Sequence, residues 1–251
     1  MCRIFLSINS HCEIKNKIYN FLKQSIHKKK FTPLLDNYRD YDYNQNGFGL
    51  AWLNYNIFKI YKNTCLFNED KILNEIINKI PKKIIIGHIR KRSISTKSYN
   101  NTHPFIYKNN IFVHNGRIQD FENNAKILVK YMNCEYVNCI KGETDSELLF
   151  YLFLSFLGTS KKYKESINKL YKLFKDLDIE LSANIIFANL DVIIVTRFLY
   201  YNQKKYLSRE TPPSLYIDRT DGIIISSEPI TNNWELIKEN SIILFDIKNL
   251  I

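Results

Sequence analysis

No stretch of this sequence is apolar for long enough to cross a membrane. The longest such run, Leu148 to Leu157, is interrupted by Ser155 and falls well short of the ~20 residues a spanning helix needs. Ile4-Phe5-Leu6 is too short for the apolar region of a secretory signal, and Arg3 precedes it directly. Cysteine is scarce and ill-placed for cross-linking. Cys2, Cys12, Cys65, Cys134 and Cys139 form an odd, scattered set, which argues against a secreted disulfide framework and for a reducing compartment. No His or second Cys pair follows Cys134 and Cys139 at zinc spacing, so no metal site is expected. Repeats, low-complexity tracts and linkers are also missing, and residues 1–251 read as a single domain. Together these absences predict a cytoplasmic protein with no membrane contact.

Acidic residues are outnumbered, 25 against 36 Lys and Arg, giving a formal net charge of +11. Such an excess points to nucleic acid only where it clusters. Here lysine is spread along the chain among abundant Asn, Ile and Tyr, and the one tight basic run is His27-Lys28-Lys29-Lys30. No nucleic-acid partner is expected. With 45% of residues hydrophobic, the chain can bury a substantial core.

Periodicity supplies the elements. Residues 2–8 read as a buried strand, and Ile14, Ile18, Phe21, Leu22 and Ile26 predict a helix over about 13–27. Residues 50–61 read as one or two strands, and 72–80 as a helix stopped by Pro81. The β-branched run 84–90 is a strand leading into the polar loop 91–103, and 105–114 read as a hairpin turning at Asn109-Asn110. Helices are expected over 145–156 and 162–177, a hairpin from 184–189 and 192–198, and strands at 214–219, 222–227 and 241–247. This order fits an α+β domain with helices outside paired sheets.

Four places could carry chemistry. Cys2 becomes the first residue once Met1 is removed, as is normal before a residue this small. Its α-amine, with an ordinary pKa of about 7.7–8.0, is then a base attached to the thiol's own residue; the plain alternative is a small residue near a chain end. His114-Asn115-Gly116 ends a predicted strand. An Asn side-chain amide and a glycine N–H supply two donors for a developing oxyanion, although Asn-Gly is equally a hairpin turn. Arg90 ends its strand, with Ser93 and His103 beyond it, and suits bidentate capture of a carboxylate or a surface position. Asp145 sits at a helix start, where an acid suits the dipole and could also bind an ammonium. A glutamine substrate presents a carboxylate, an ammonium and a side-chain amide. Arg90, Asp145 and the Asn115/Gly116 pair match those groups, with Cys2 as the attacking atom.

Met1-Cys2-Arg3, Asn46-Gly47-Phe48-Gly49-Leu50-Ala51-Trp52, Gly87-His88-Ile89-Arg90, Asn101-Thr102-His103-Pro104-Phe105, Phe112-Val113-His114-Asn115-Gly116 and Glu143-Thr144-Asp145 follow one another in a family's order. The sequence resembles the class II, N-terminal-nucleophile glutamine amidotransferases. Val195-Thr196-Arg197 and Ser226-Ser227-Glu228-Pro229 also resemble the stand-alone branch, which includes the amidotransferase-like subunit of the fungal glutathione-degrading complex. The resemblance implies a four-layer αββα sandwich. It implies that Cys2 forms a γ-glutamyl thioester from glutamine or a γ-glutamyl compound, releases ammonia or an amine, and is freed by water, with no cofactor. It implies Asn115 and Gly116 as the oxyanion hole, and Arg90, Ser93, His103 and Asp145 as substrate contacts. The chain reads as fully used by this domain, so transfer to an acceptor would need a separate synthase or peptidase subunit. Ser93 stands where the family usually has Thr, Asn46 replaces a common acid, and the loop 91–102 holds no glycine. A non-catalytic subunit that keeps the fold and scaffolds a complex is the alternative reading.

Overall fold

The computed structural model describes residues 2–26, 44–91, 95–201 and 214–250; the basic run 27–30, the segment around Pro33 and Ser93 lie outside them. In chain order the first half holds β1 (Arg3–Ile8), α1 (Ile14–Lys23), β2 (Phe48–Asn54), β3 (Ile57–Asn63), α2 (Leu73–Lys79), β4 (Ile84–Ile89), β5 (Phe105–Tyr107) and β6 (Asn110–Ile118). The second half holds α3 (Phe121–Leu128), α4 (Cys134–Val137), α5 (Asp145–Leu157), α6 (Tyr163–Asp176), β7 (Leu181–Ala188) and β8 (Val192–Tyr200). It closes with β9 (Tyr216–Asp218), β10 (Ile223–Ser226), β11 (Glu235–Leu236) and β12 (Ser241–Asp246).

The strands form two antiparallel sheets, one ordered β11-β9-β10-β1-β4-β2-β3 and the other β12-β8-β7-β6-β5. Because side chains alternate across a strand, each sheet has two faces to cover. Ile4, Leu6 and Ile8 of β1, with Ile84 and Ile86 of β4, meet Ile111, Val113, Ile186, Ile193 and Val195 of the second sheet. This is the inner core of the sandwich. Phe5, Ile85 and Ile89 point the other way, against Ile14, Ile18, Phe21 and Leu22 of α1 and Leu73 and Ile77 of α2. Phe112, Ile185, Phe187 and Ile194 cover the second sheet's outer face together with α5 and α6. The result is a four-layer αββα sandwich, as the sequence resemblance implies.

Helix α1 shows why a few residues suffice. Ile14, Ile18, Phe21 and Leu22 fall on one stripe, and Phe21 stacks on Phe5 with ring centroids 5.2 Å apart. Helix α5 differs, being buried on nearly every side from Ser146 to Leu154. It fills the angle between the second sheet and α6, which is why its sequence is apolar all round.

Two parts depart from the sequence expectation. The hairpin turns at Lys108-Asn109, with Tyr107 paired to Asn110, and its second strand runs on to Ile118 instead of stopping at His114. Helices α3 and α4 have no counterpart in the periodicity. In α3 only Leu128 is fully buried, and Asn123, Asn124 and Lys126 dilute the apolar stripe that would have signalled it.

Candidate active site

The alternation that sends Ile4, Leu6 and Ile8 to the inner face directs Cys2 the same way, one period further toward the chain start. Its sulfur accepts the Lys91 N–H at 3.3 Å and lies 3.5 Å from the Lys91 carbonyl oxygen. Burial pushes the thiol pKa up. The amino-terminal charge, the Lys91 N–H and Arg90 oppose this, while Asp145 adds to it. At rest the sulfur is therefore a protonated thiol that needs a base. Arg3 fixes the backbone here: its guanidinium donates to the Cys2 carbonyl oxygen at 3.1 Å and pairs with Glu228 at 2.5 Å, both side chains being buried.

Arg90 follows β4 and is held by a last exchange of backbone bonds. Its N–H donates to Gly47 O at 2.8 Å, and the Asn46 N–H donates to Arg90 O at 3.2 Å. Asn46 thus contributes its main chain to this contact. The guanidinium donates to Ser95 Oγ at 2.7 Å and Thr96 O at 3.0 Å. Residues 96–103 are docked by side chains. Thr96 N–H donates to Glu143, Asn101 Nδ2 donates to Thr96 O, and Asn101 Oδ1 accepts the Glu143 N–H at 2.8 Å. Lys62 reaches under the loop from β3 and donates to Thr102 O at 2.6 Å, with burial lowering its pKa to about 8. Gly49 lets the loop end lie flat on β2, since a Cβ there would stand 2.2 Å from His103 O. His103 is buried, stacked on His88 at 3.9 Å and edge-on to Phe105 at 4.4 Å.

On β6, Ile111 and Val113 face the inner core, and Asn115 continues that face. Its Nδ2 donates to Ser227 Oγ at 3.2 Å, and the same oxygen accepts the Ile4 N–H of β1 at 3.0 Å. One hydroxyl therefore joins the strand of Cys2 to Asn115. Gly116 pairs with Ala183 inside the sheet; a Cβ there would fall 1.8 Å from Ser182 O, so no side chain fits. The Asn-Gly pair is thus strand, not turn.

His114 points to the other face, and its tautomer follows from its partners. Nε2 lies 3.2 Å from Ser182 O, which can only accept, so Nε2 carries the proton. Nδ1 then accepts from Ser146 Oγ at 2.8 Å, which takes the serine proton away from the longer 3.3 Å contact with Asp145 Oδ1. Asp145 Oδ2 accepts the Ile118 N–H at 2.9 Å, leaving Oδ1 as the more available oxygen for a cation. The Thr144 hydroxyl caps α5 by accepting the Glu147 N–H at 3.2 Å. Thr144→Ala is expected to cost about 1 kcal/mol, lowering the thermal midpoint by roughly 2–4 °C for a chain of this size. Thermal unfolding followed by circular dichroism checks this.

The structure thus brings Cys2 within electrostatic reach of Arg90 and Asp145, ties Asn115 to the Cys2 strand, and stacks His103 on His88, where it feels the charge of Arg90. Sequence reasoning gives no role to Lys62, His88, Ser146 or Ser227. Lys62 is one cation among 36, with no local signal of burial. Ser227 lies in the Ser226-Ser227-Glu228-Pro229 segment, but its partner lies 112 positions away. Among the described residues no group of His, Cys, Asp and Glu could hold a metal ion, and no helix is long and apolar enough to cross a membrane.

Comparison with known proteins places this geometry. The probable glutamine amidotransferase DUG3 of Saccharomyces cerevisiae is 26% identical over 246 aligned residues, covering 80% of this chain and 69% of that protein. An uncharacterized protein of Methanocaldococcus jannaschii is 26% identical over 225, covering 80% of this chain and 61% of its own length. Among solved structures, a glutamine aminotransferase class-II domain protein from Silicibacter pomeroyi superposes with a TM-score of 0.65 at 18% identity, over 98% of this chain and 96% of that one. The glutamine phosphoribosylpyrophosphate amidotransferase of B. subtilis gives 0.63 at 15% identity, over 99% of this chain but 48% of that one. The two structural likenesses show a shared fold, the αββα sandwich. The family described as "Glutamine amidotransferases class-II" matches residues 27–215, a span that holds Arg90, Ser93, His103, Asn115, Gly116 and Asp145 and begins beyond Cys2. With well over half of its length matched, this chain belongs to the class-II glutamine amidotransferases.

Proposed function

We propose that this chain hydrolyses the side-chain amide of glutamine, or of another γ-glutamyl compound, through a thioester on Cys2. The observation that carries the reading is the sulfur's position beside Arg90 and Lys91, on a strand that one hydroxyl links to Asn115. In this scheme Arg90 and Asp145 hold the substrate's carboxylate and ammonium. The α-amine of processed Cys2 takes the thiol proton as sulfur attacks the amide carbon. Asn115 Nδ2 and the Gly116 N–H receive the oxyanion. The proton then passes to the departing nitrogen, the C–N bond breaks, and ammonia or an amine leaves. Water, deprotonated by the same amine, attacks the thioester, returning glutamate and the free thiol. The nitrogen is released directly or delivered to a separate synthase or peptidase subunit in the cytosol.

The test uses protein from which Met1 has been removed, supplied with glutamine and with γ-glutamyl peptides. Equal yields of glutamate and of ammonia or amine are expected, together with a covalent adduct on Cys2 after treatment with diazo-oxo-norleucine. If neither product nor adduct forms, the reading is wrong and the chain is a non-catalytic subunit.

A further inference from the structure

We infer that Ser227 is a positioning residue for both halves of this reaction centre, its hydroxyl acting as a two-way partner that lets the Asn115 amide turn its N–H₂ toward the oxyanion. The inference rests on the proposed role of Asn115 as an oxyanion donor.

Ser227 is fixed from three sides. Its N–H donates to Ile4 O at 3.0 Å, and its Oγ accepts the Ile4 N–H at 3.0 Å, so one residue takes both backbone groups of Ile4. Its carbonyl oxygen accepts from Ser214 Oγ at 2.9 Å, and Ser214 O in turn accepts from Asn184, the cross-strand neighbour of Asn115. The Ser227 hydroxyl proton is what this arrangement leaves uncommitted, and the Asn115 amide is the group within its reach.

In the resting structure Asn115 points Nδ2 at Ser227, while its Oδ1 is buried without a hydrogen-bond partner among the described residues. That arrangement commits one of the two Nδ2 protons to Ser227 and leaves Oδ1, an acceptor, at the unpartnered position. A half-turn about the last side-chain torsion exchanges the two atoms. Ser227 then donates to Oδ1, and Nδ2 takes the unpartnered position with its protons to give. A hydroxyl can accept in one state and donate in the other because its hydrogen rotates. Each state leaves one amide atom unpaired, and the turned state uses the Ser227 hydroxyl proton that the resting one leaves uncommitted. An incoming carbonyl oxygen, an acceptor only, stabilises the turned state and shifts the population toward it. Ser227 thereby holds the nucleophile's strand and reorients the donor from a single atom.

The test compares Ser227→Ala and Ser227→Thr with the unsubstituted protein. Removing a whole oxyanion donor costs about 10²–10³-fold in kcat. Losing only its orientation is expected to lower kcat for glutamine hydrolysis by roughly 10–100-fold, with KM within about threefold. Threonine, which keeps the hydroxyl, should stay near the unsubstituted rate. Alkylation of Cys2 by iodoacetamide, which needs no oxyanion hole, should fall far less than kcat in Ser227→Ala, where only the bond to the Ile4 N–H is lost, and stay unchanged in Ser227→Thr. A Ser227→Ala enzyme with unaltered kcat, or a threonine variant as impaired as alanine, would overturn the inference. A reading independent of turnover comes from the Asn115 side-chain amide in asparagine-labelled protein. Its ¹⁵N resonance should move in Ser227→Ala and return in Ser227→Thr, and an unmoved resonance overturns the contact even if no γ-glutamyl amide is hydrolysed. Should the alanine chain fail to fold, Ser227→Cys, which replaces the hydroxyl by a weaker donor at nearly the same volume, is expected to show the same loss.

Discussion

Replacing Cys2 by alanine is expected to reduce amide hydrolysis by at least about 10³-fold, a barrier increase of roughly 4 kcal/mol, while leaving the protein folded. The size of the effect follows from the absence of a substitute. The sulfur's hydrogen-bonding neighbours among the described residues are the backbone atoms of Lys91, not a side-chain base or second nucleophile. The three histidines of the site, His88, His103 and His114, are buried with their pKa values lowered, and none bonds to the thiol. The α-amine of processed Cys2 is what remains to accept the proton. A chain that retains Met1 should therefore be nearly as inactive as the alanine variant, because the amine is then an amide. The fold should tolerate the change, since Cys2 precedes β1 and its sulfur holds only the Lys91 backbone. Measurement of glutamate release alongside the thermal midpoint checks both halves. Unimpaired hydrolysis by Cys2→Ala would reject the mechanism outright, whereas loss with a collapsed midpoint would call for the Met1-retaining chain as the decisive arm.

Much of the architecture is legible because the inner strands carry their own signature. Ile84-Ile85-Ile86 can only be buried on both faces, and β4 does lie between β1 and β2 in the middle of its sheet. The apolar run of α5 is equally plain. Helix α3 is not, because a surface helix that buries little leaves little period to detect. The site divides in the same way. Arg90 and Asn115 stand out since a charged or amide residue closes a strand of apolar ones, and Asp145 since it opens the apolar helix α5. Ser227, Lys62 and Ser146 do not, because their significance lies in which distant groups they meet. Asn46, a departure from the family's usual acid, illustrates a related limit: its main chain meets Arg90, a contact that composition does not reveal. Residues 95–102 of the glycine-free loop are docked by Glu143 and Lys62, long-range contacts that no local pattern discloses.

Lowering the pH from 6.5 to 5.5 is expected to destabilise the folded protein by up to about 3 kcal/mol, roughly 1 kcal/mol for each of three buried histidines, because an unfolded imidazole is already half protonated where the step begins. Burial is the leading cause for all of them. Arg90 and His114 push His88 down further, His88 does the same to His103, and Asp145 and the Ser182 carbonyl partly restore His114. Unfolded, each imidazole titrates at its ordinary value of about 6.5. Between that value and the lowered folded one, the unfolded chain binds more protons than the native state. Stability is thus fully present above pH 6.5 and drains away as the pH falls toward the folded values. Glu147 acts in the opposite sense: burial raises its carboxyl, so the native chain takes up that proton first as the pH falls and offsets part of the loss. Asp221 loses its ion pair with Lys17 at still lower pH, so it does not enter this window. Urea unfolding at pH 7.5, 6.5 and 5.5 measures the slope, and His103→Phe, which keeps an aromatic ring against His88, should reduce it by about one histidine's share. A stability independent of pH across this range would mean that these imidazoles are not held neutral. The consequence reaches the site, since His88 and His103 stack directly against one another and each feels Arg90. A proton on that stack sets a second cation near the guanidinium, and their mutual repulsion is part of what keeps both imidazoles neutral.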